Sequence, residues 1–111
     1  MQPEGHEKKA RRLEATIRKL SDAPDFEAIV ELCYALAVQY LAMVCTTRVR
    51  RHMDTHKGLA AFLVQNGLSD LAESFRDLDL LRTSRYYGAR GDGKAAREAR
   101  RILDEIKAKL H

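Results

Sequence analysis

The stretch from residue 26 to residue 45 constrains the fold more than any other part of the chain. Apolar residues recur along it at intervals of three and four, which predicts a helix, and further apolar residues extend the pattern to a second face. A helix that is apolar on two faces needs neighbours on both sides. Because Glu27, Glu31 and Gln39 interrupt the stretch, we expect a buried core helix rather than a membrane span.

The rest of the chain is also dominated by helical periodicity. No segment shows a sustained alternation of apolar and polar residues, which a half-buried strand requires. We therefore predict an all-α fold, an antiparallel bundle of four to five helices that forms one domain over residues 1–111. The predicted helices span 5–20, about 24 to the early fifties, a short segment around Leu59–Leu63, a segment after Ser69, and about 93–110.

Breaker and capping residues predict where these helices begin and end. Pro24 suits the first turn of the second helix, because its missing N–H needs no partner there. Asn66 followed by Gly67 is a strong stop signal for the third helix. The expected N-terminal caps are Ser21 or Asp22 for the second helix, Asp54 or Thr55 for the third, and Ser69 for the fourth.

Charge and cysteine usage indicate the setting in which the chain works. The formal net charge is +4 and the isoelectric point is about 9.3, which is compatible with an anionic partner but does not require one. Cys33 and Cys45 would lie about 18 Å apart along one helix, too far for a disulfide. We expect both to be core residues in a reducing compartment. Because the first residues are polar and resemble no signal peptide, we predict a cytoplasmic protein.

The segment LRTSRYYG, residues 81–88, carries the most informative group of side chains. Arg82 and Arg85 would share a helix face, and a guanidinium matches the geometry of a phosphate. Tyr86 and Tyr87 offer rings on which a base could stack. A second interpretation is that the arginines complement the negative end of a helix and the tyrosines cover the edge of the core.

The motif HMDTH contains three residue types that bind metals. A zinc site takes three or four ligands, and no fourth is obvious beside His52, Asp54 and His56; a turn is also expected among them, so we assign no metal. We interpret His56 mainly as a structural turn residue. The nearby Arg51 and Lys57 belong to a basic cluster that is either a solvated face or part of an anion-binding surface.

No other motif indicates catalysis or a cofactor. The sequence GARGDGK lacks the spacing of a nucleotide-binding P-loop, and no strand precedes it. Asp77 and Asp79 would point to different helix faces, and Ser84 has no histidine near it in sequence, so neither supplies an acid–base pair. We therefore assign no catalytic residue and no cofactor.

Four motifs in order resemble the HEPN superfamily of small helical bundles, over about residues 8–110. They are DFEAIVELCYALAVQYLAMV, THKGLAAFL, LDLLRTSRYYG and AREARRILDEIKAKL. The resemblance implies a helical bundle that often dimerises. It also implies one of several functions. Some members are metal-independent ribonucleases with an Arg-x(4–6)-His motif, often toxins paired with a nucleotidyltransferase antitoxin, and others bind nucleotides or lack catalysis.

The residues that match this motif favour binding over catalysis. Arg82 matches its arginine, but Tyr87 stands five residues later and the next histidine is His111. A phenol with a pKa of about 10 is a poor general base beside an imidazole with a pKa of about 6.5. His56 and Lys57 match the family's turn.

The sequence thus predicts a non-catalytic module that binds a nucleotide or RNA phosphate, as a homodimer without membrane association. Two alternatives remain open: a ribonuclease with a degenerate Arg-x4-Tyr motif, and a dimeric scaffold that pairs with a nucleotidyltransferase or another protein. The predicted binding residues are Arg82, Arg85, Tyr86 and Tyr87, with possible support from Arg51, His56 and Lys57.

Overall fold

A computed structural model of the chain describes residues 3–45, 58–83 and 93–110, and all regular structure in these ranges is helical. The prediction of an all-α bundle is confirmed. The helices are α1 (Pro3–Arg18), α2 (Phe26–Val44), α3 (Leu59–Gln65), α4 (Ser69–Thr83) and α5 (Lys94–Lys109).

Helix α2 is the centre of the bundle, as its two apolar faces predict. It packs against α1, α4 and α5. Ile29, Cys33, Leu36 and Leu41 along it are fully buried. By length and composition alone α2 could cross a membrane, but 56% of its most apolar 18-residue segment is buried inside the protein. The apolar character of α2 is therefore accounted for by its neighbours in the bundle, where each buried Leu or Ile contributes about 1.5–3 kcal/mol.

The predicted start of α2 is wrong by two residues, and so are its predicted caps. Pro24 lies in the preceding turn, and Asp25 occupies the cap position without a side-chain cap bond. The Asp25 carboxylate instead accepts a hydrogen bond from the backbone N–H of Ser21 at 2.7 Å. The Asp22 carboxylate accepts a hydrogen bond from Arg100 of α5 at 2.7 Å, so the side chain expected to cap α2 makes a tertiary contact instead. The predicted extension of α2 into the early fifties lies outside the described residues.

The N-terminal caps expected for α3 and α4 are also wrong. Gly58 occupies the cap position of α3, because its carbonyl accepts the N–H of Phe62 at 3.0 Å, and the expected caps Asp54 and Thr55 lie outside the described residues. Helix α4 begins at Ser69 itself, and the residue before it supplies the first carbonyl, which accepts the N–H of Ala72 at 3.1 Å. Both helices therefore begin next to a residue that lacks a capping side chain.

The predicted stop after α3 is confirmed. Gly67 has a φ of 77°, a left-handed conformation that glycine adopts without a steric penalty. Its N–H donates to the carbonyl of Val64 at 3.3 Å, and the N–H of Leu68 donates to that of Leu63 at 2.8 Å. These two bonds form a Schellman motif, which satisfies carbonyls that the end of a helix leaves without partners. Leu68 then packs against the core.

Helix α5 is tied to the end of α1 by one side chain. Besides its bond to Asp22, Arg100 donates through Nη2 to the carbonyls of Ile17 at 3.1 Å and Leu20 at 3.2 Å. These carbonyls lie at the C-terminal end of α1, where backbone acceptors lack helical partners and a cation is favoured. Arg100 therefore caps α1 from another helix.

Two buried features complete the core around α2. Cys33 and Cys45 are free and buried, as predicted, and burial raises the pKa of the Cys33 thiol to about 11. Such a thiol is largely protonated near neutral pH and therefore unreactive.

Gln39 is also buried, and its Oε1 lies 2.6 Å from Nδ1 of the buried His6 on α1. This bond offsets the cost of removing two polar groups from water.

Candidate phosphate-binding site at the end of α4

The last turn of α4 places Arg82 at the edge of the core. Phe75 and Leu78 point into the bundle and are buried. Arg82 follows Leu78 by four residues, so both lie on the same side of the helix. The side chain of Arg82 is 30% exposed, because it lies where the buried face of α4 meets solvent.

Two helices hold the Arg82 guanidinium in place. Within α4, its Nη2 and Nε donate to Oδ1 of Asp79 at 2.9 and 3.3 Å. From α2, the ring of Tyr34 lies beneath it, with the guanidinium carbon 4.1 Å from the ring centroid. Glu31 of α2 approaches Nη1 to 4.0 Å, which is an ion pair but too long for a hydrogen bond.

Tyr34 is itself anchored to the core. Its ring stacks on that of Phe75, with centroids 5.4 Å apart and an interplanar angle of 26°. Burial raises the pKa of Tyr34, and the charge of Asp79 adds to this effect, so the phenol stays protonated. A cation over a tyrosine ring contributes about 0.5–2 kcal/mol, depending on how far it is removed from water. Tyr34 therefore provides a fixed ring surface on which the guanidinium lies.

The local charges keep Arg82 ionised but partly neutralise it. Burial alone would lower the pKa of Arg82, but the hydrogen bond to Asp79 and the surrounding charges outweigh it and raise the pKa. Asp79 and Glu31 together bring two negative charges to one positive charge. Because this cluster is net negative, it would hold a phosphate well only if further cations joined Arg82.

The other predicted binding residues lie outside the described part of the chain, so the structure tests neither their position nor their contacts. They are Arg85, Tyr86, Tyr87, Arg51, His56 and Lys57. His52 and Asp54 of the rejected metal motif lie outside it as well. Within the described ranges, no group of three His, Cys, Asp or Glu side chains is placed to hold a metal ion.

Sequence reasoning missed the three partners of Arg82. Asp79 was available as a signal, because a carboxylate three residues before an arginine on a helix is a frequent ion pair. Tyr34 and Glu31 gave no signal, since they come from a helix about fifty residues earlier in the chain. Only the packing of α2 against α4 brings them to Arg82.

A second polar cluster lies between α1 and α5, and sequence reasoning missed it too. Glu14 accepts a hydrogen bond from Lys107 at 2.6 Å, and Lys107 lies 6.0 Å from the ring centroid of Tyr40. Beside them is a cleft of about 270 Å³, also lined by Arg18, Arg100 and Asp104. Because Glu14 and Lys107 neutralise each other, we interpret the cluster as a link between helices.

The link between Glu14 and Lys107 predicts a pH dependence of stability. The hydrogen bond from Lys107, ahead of other causes, lowers the pKa of Glu14 below its ordinary value of 4.5. A carboxyl whose pKa is depressed by folding stabilises the protein above its unfolded pKa, and this contribution is lost as the pH falls through the folded value. Glu14→Gln should therefore lower the free energy of unfolding by up to about 1 kcal/mol at pH 7.

This difference between wild type and Glu14→Gln should shrink as the pH falls below about 4.5, which urea denaturation at pH 7, 5, 4 and 3 would measure. Glu7→Gln is the matched control, since Glu7 pairs with Arg11 on the exposed side of α1. It should change stability little at any pH. A Glu14→Gln difference that stays constant down to pH 3 would contradict the assignment.

Comparisons of the chain with protein-family models, curated proteins and solved structures find no significant match. The resemblance to HEPN proteins therefore stays a prediction. The homodimer, the nucleotidyltransferase partner and the cytoplasmic location stay predictions as well.

Proposed function

We propose that the chain is a HEPN-like helical module that binds a nucleotide or RNA phosphate at the end of α4 and does not catalyse a reaction. The observation that carries this proposal is the position of Arg82. Its guanidinium is fixed by Asp79 and Tyr34 at the edge of the core, while the side chain stays 30% exposed to solvent. A donor that is oriented before binding loses less conformational freedom when a ligand arrives.

The net negative charge around Arg82 determines what else the site needs. A phosphate that approaches Nη1 also approaches Glu31, so a second cation has to offset the repulsion. In the proposed site Arg85 supplies that cation, and Tyr86 and Tyr87 stack on the base or donate hydrogen bonds. Arg51, His56 and Lys57 are proposed to support the site through the turn that resembles the family's.

The absence of catalysis is proposed because Tyr87 occupies the position of the motif's histidine. A protonated phenol cannot accept the proton of a ribose 2′-hydroxyl as readily as an imidazole does near neutral pH. The proposed module therefore holds RNA without cleaving it. Incubation with labelled single-stranded RNA in EDTA tests this part, and specific cleavage that disappears in a Tyr87→Phe variant would contradict it.

Arg82→Ala tests the binding site. Wild-type protein should bind AMP, ADP, ATP or a short RNA, and a ligand at 100 times its Kd should raise the melting temperature by about 10 °C. Arg82→Ala should weaken that binding about tenfold or more, because a hydrogen bond to a charged group is lost. Titration calorimetry measures the affinity separately from any change in the stability of the free protein.

Two further variants make the test specific. Arg76→Ala removes the same charge from an exposed position of α4 and should bind as wild type does. Arg82→Lys keeps the charge but loses the planar arrangement of donors, so it should restore only part of the affinity. If no nucleotide or RNA binds, or if Arg82→Ala binds as well as Arg76→Ala, the proposal is wrong.

A further inference from the structure

The exposed side of α1 carries a continuous row of cations. His6, Ala10 and Ile17 point into the bundle and are buried. At 100° per residue, the opposite side of the helix holds exposed basic side chains. We name these residues the α1 basic face: Lys8, Arg11, Arg12, Arg18 and Lys19.

Most of the charge on this face has no neutralising partner. Arg11 pairs with Glu7, and Arg18 lies 3.8 Å from Glu14, whose carboxylate is already bonded to Lys107. No described carboxylate lies within 4 Å of the charged groups of Lys8, Arg12 or Lys19. Lys8 and Arg12 lie about 40° apart around α1, and Lys19 lies in the turn just past its end.

The shape of the face allows an extended ligand to approach. Ala15 is exposed near the middle of the row, between Arg12 and Lys19, so no large side chain rises between the cations. Lys19 lies in the turn directly after Arg18, where its N–H donates to the carbonyl of Thr16 at 3.1 Å. Four of the five cations thus stand on α1 itself, and the fifth lies just past its end.

The chemistry of the face selects one kind of partner. A protein interface usually needs aromatic or aliphatic anchors at its centre, and the described exposed residues of α1 include none. A helix that lies in a membrane surface needs a free apolar face, and the apolar face of α1 is buried in the bundle. A nucleic-acid backbone needs only cations, since a duplex presents a negative charge about every 1.7 Å.

We propose that the α1 basic face binds the phosphate backbone of a nucleic acid without reading its sequence. The cations contact successive phosphates along the backbone, and the affinity comes largely from the counterions that these phosphates release. The proposal does not depend on the site at Arg82, because it uses other residues and a polymer rather than one phosphate.

Fluorescence anisotropy in 50 to 200 mM KCl tests the proposal, with labelled 20-base-pair duplex RNA, 20-base-pair duplex DNA and a 20-nucleotide single-stranded RNA. The test variant is Lys8→Gln, Arg12→Gln and Lys19→Gln in one chain. At 50 mM it should bind the preferred probe about tenfold or more weakly than wild type. A plot of log K against log salt should become shallower by about two to three units.

The control removes three exposed cations elsewhere, through Arg76→Gln, Lys94→Gln and Arg97→Gln, and so has the same net charge. It should keep most of the affinity and the salt slope of wild type. Circular dichroism and thermal melting check that both triple variants fold. The three probes show whether duplex RNA, duplex DNA or single strands are preferred.

Several results would overturn the inference. No binding of any probe at 50 mM would do so, as would equal losses in the two triple variants, which would show an effect of net charge alone. Displacement of the probe by polyglutamate as effectively as by unlabelled nucleic acid would show a general preference for anions. The variant with Lys8→Gln, Arg12→Gln and Lys19→Gln should bind a mononucleotide such as AMP as wild type does, so this result separates the α1 basic face from the proposed site on α4.

Discussion

Replacing Leu41 with alanine is expected to lower the free energy of unfolding by about 2–5 kcal/mol. Leu41 is fully buried near the C-terminal end of α2, within the hydrophobic core. The loss combines the transfer of the missing atoms with the cavity that remains. Because a domain of this kind is stable by only about 5–15 kcal/mol, the variant should be partly unfolded at 37 °C.

Leu80→Ala is the matched control for this experiment. Leu80 is 68% exposed on α4, so the same change of atoms should alter stability by only about 0.5 kcal/mol or less. Chemical denaturation of both variants by urea measures the two values. Similar losses at Leu41 and Leu80, or a loss below about 1 kcal/mol at Leu41, would contradict the central position of α2.

Gly93→Ala is expected to cost about 2–4 kcal/mol, for two reasons that add. Gly93 precedes α5 with a φ of 80°, which a side chain disfavours. It also lies against the turn between α1 and α2. A Cβ at Gly93 would come within 3.1 Å of Cβ of Asp22 and 3.2 Å of the backbone nitrogen of Ala23. The variant should therefore loosen the contact between α5 and that turn.

Gly67→Ala separates the cost of the left-handed backbone conformation from the cost of the steric contact. Gly67 has nearly the same backbone conformation, with a φ of 77°, but a Cβ there would meet no atom within 4 Å. Its loss should be about 1–2 kcal/mol, the cost of the left-handed conformation alone. Thermal and urea unfolding compare the two variants. Equal losses would mean that α5 does not approach the turn as closely as the structure shows.

Residues with local physical causes could be predicted well from the sequence. The spacing of apolar residues in α2 follows from the helical repeat itself, and it identified the helix and its central place. Asn66 and Gly67 ended α3 because the left-handed conformation at Gly67 depends on glycine alone. The sequence also placed Arg82 near the end of a helix, where the structure has it, and its binding role stays a prediction.

Predictions failed where distant residues compete for the same group. Asp22 looks like a helix cap, but Arg100, 78 residues away, binds its carboxylate. Glu14 and Lys107 are 93 residues apart and give no pattern in the sequence. A local sequence pattern indicates which bonds a side chain can make, but its actual partner depends on which helices pack together.

The amino-acid sequence by itself determined that this protein is helical and that α2 is its core. These properties depend on spacing of three and four residues, which a single helix expresses without its neighbours. Only the tertiary structure decided that Arg82 lies on Tyr34 between two carboxylates, and that Gln39 meets His6 inside the core. The register between packed helices sets these contacts, and that register depends on the fit of all the side chains together.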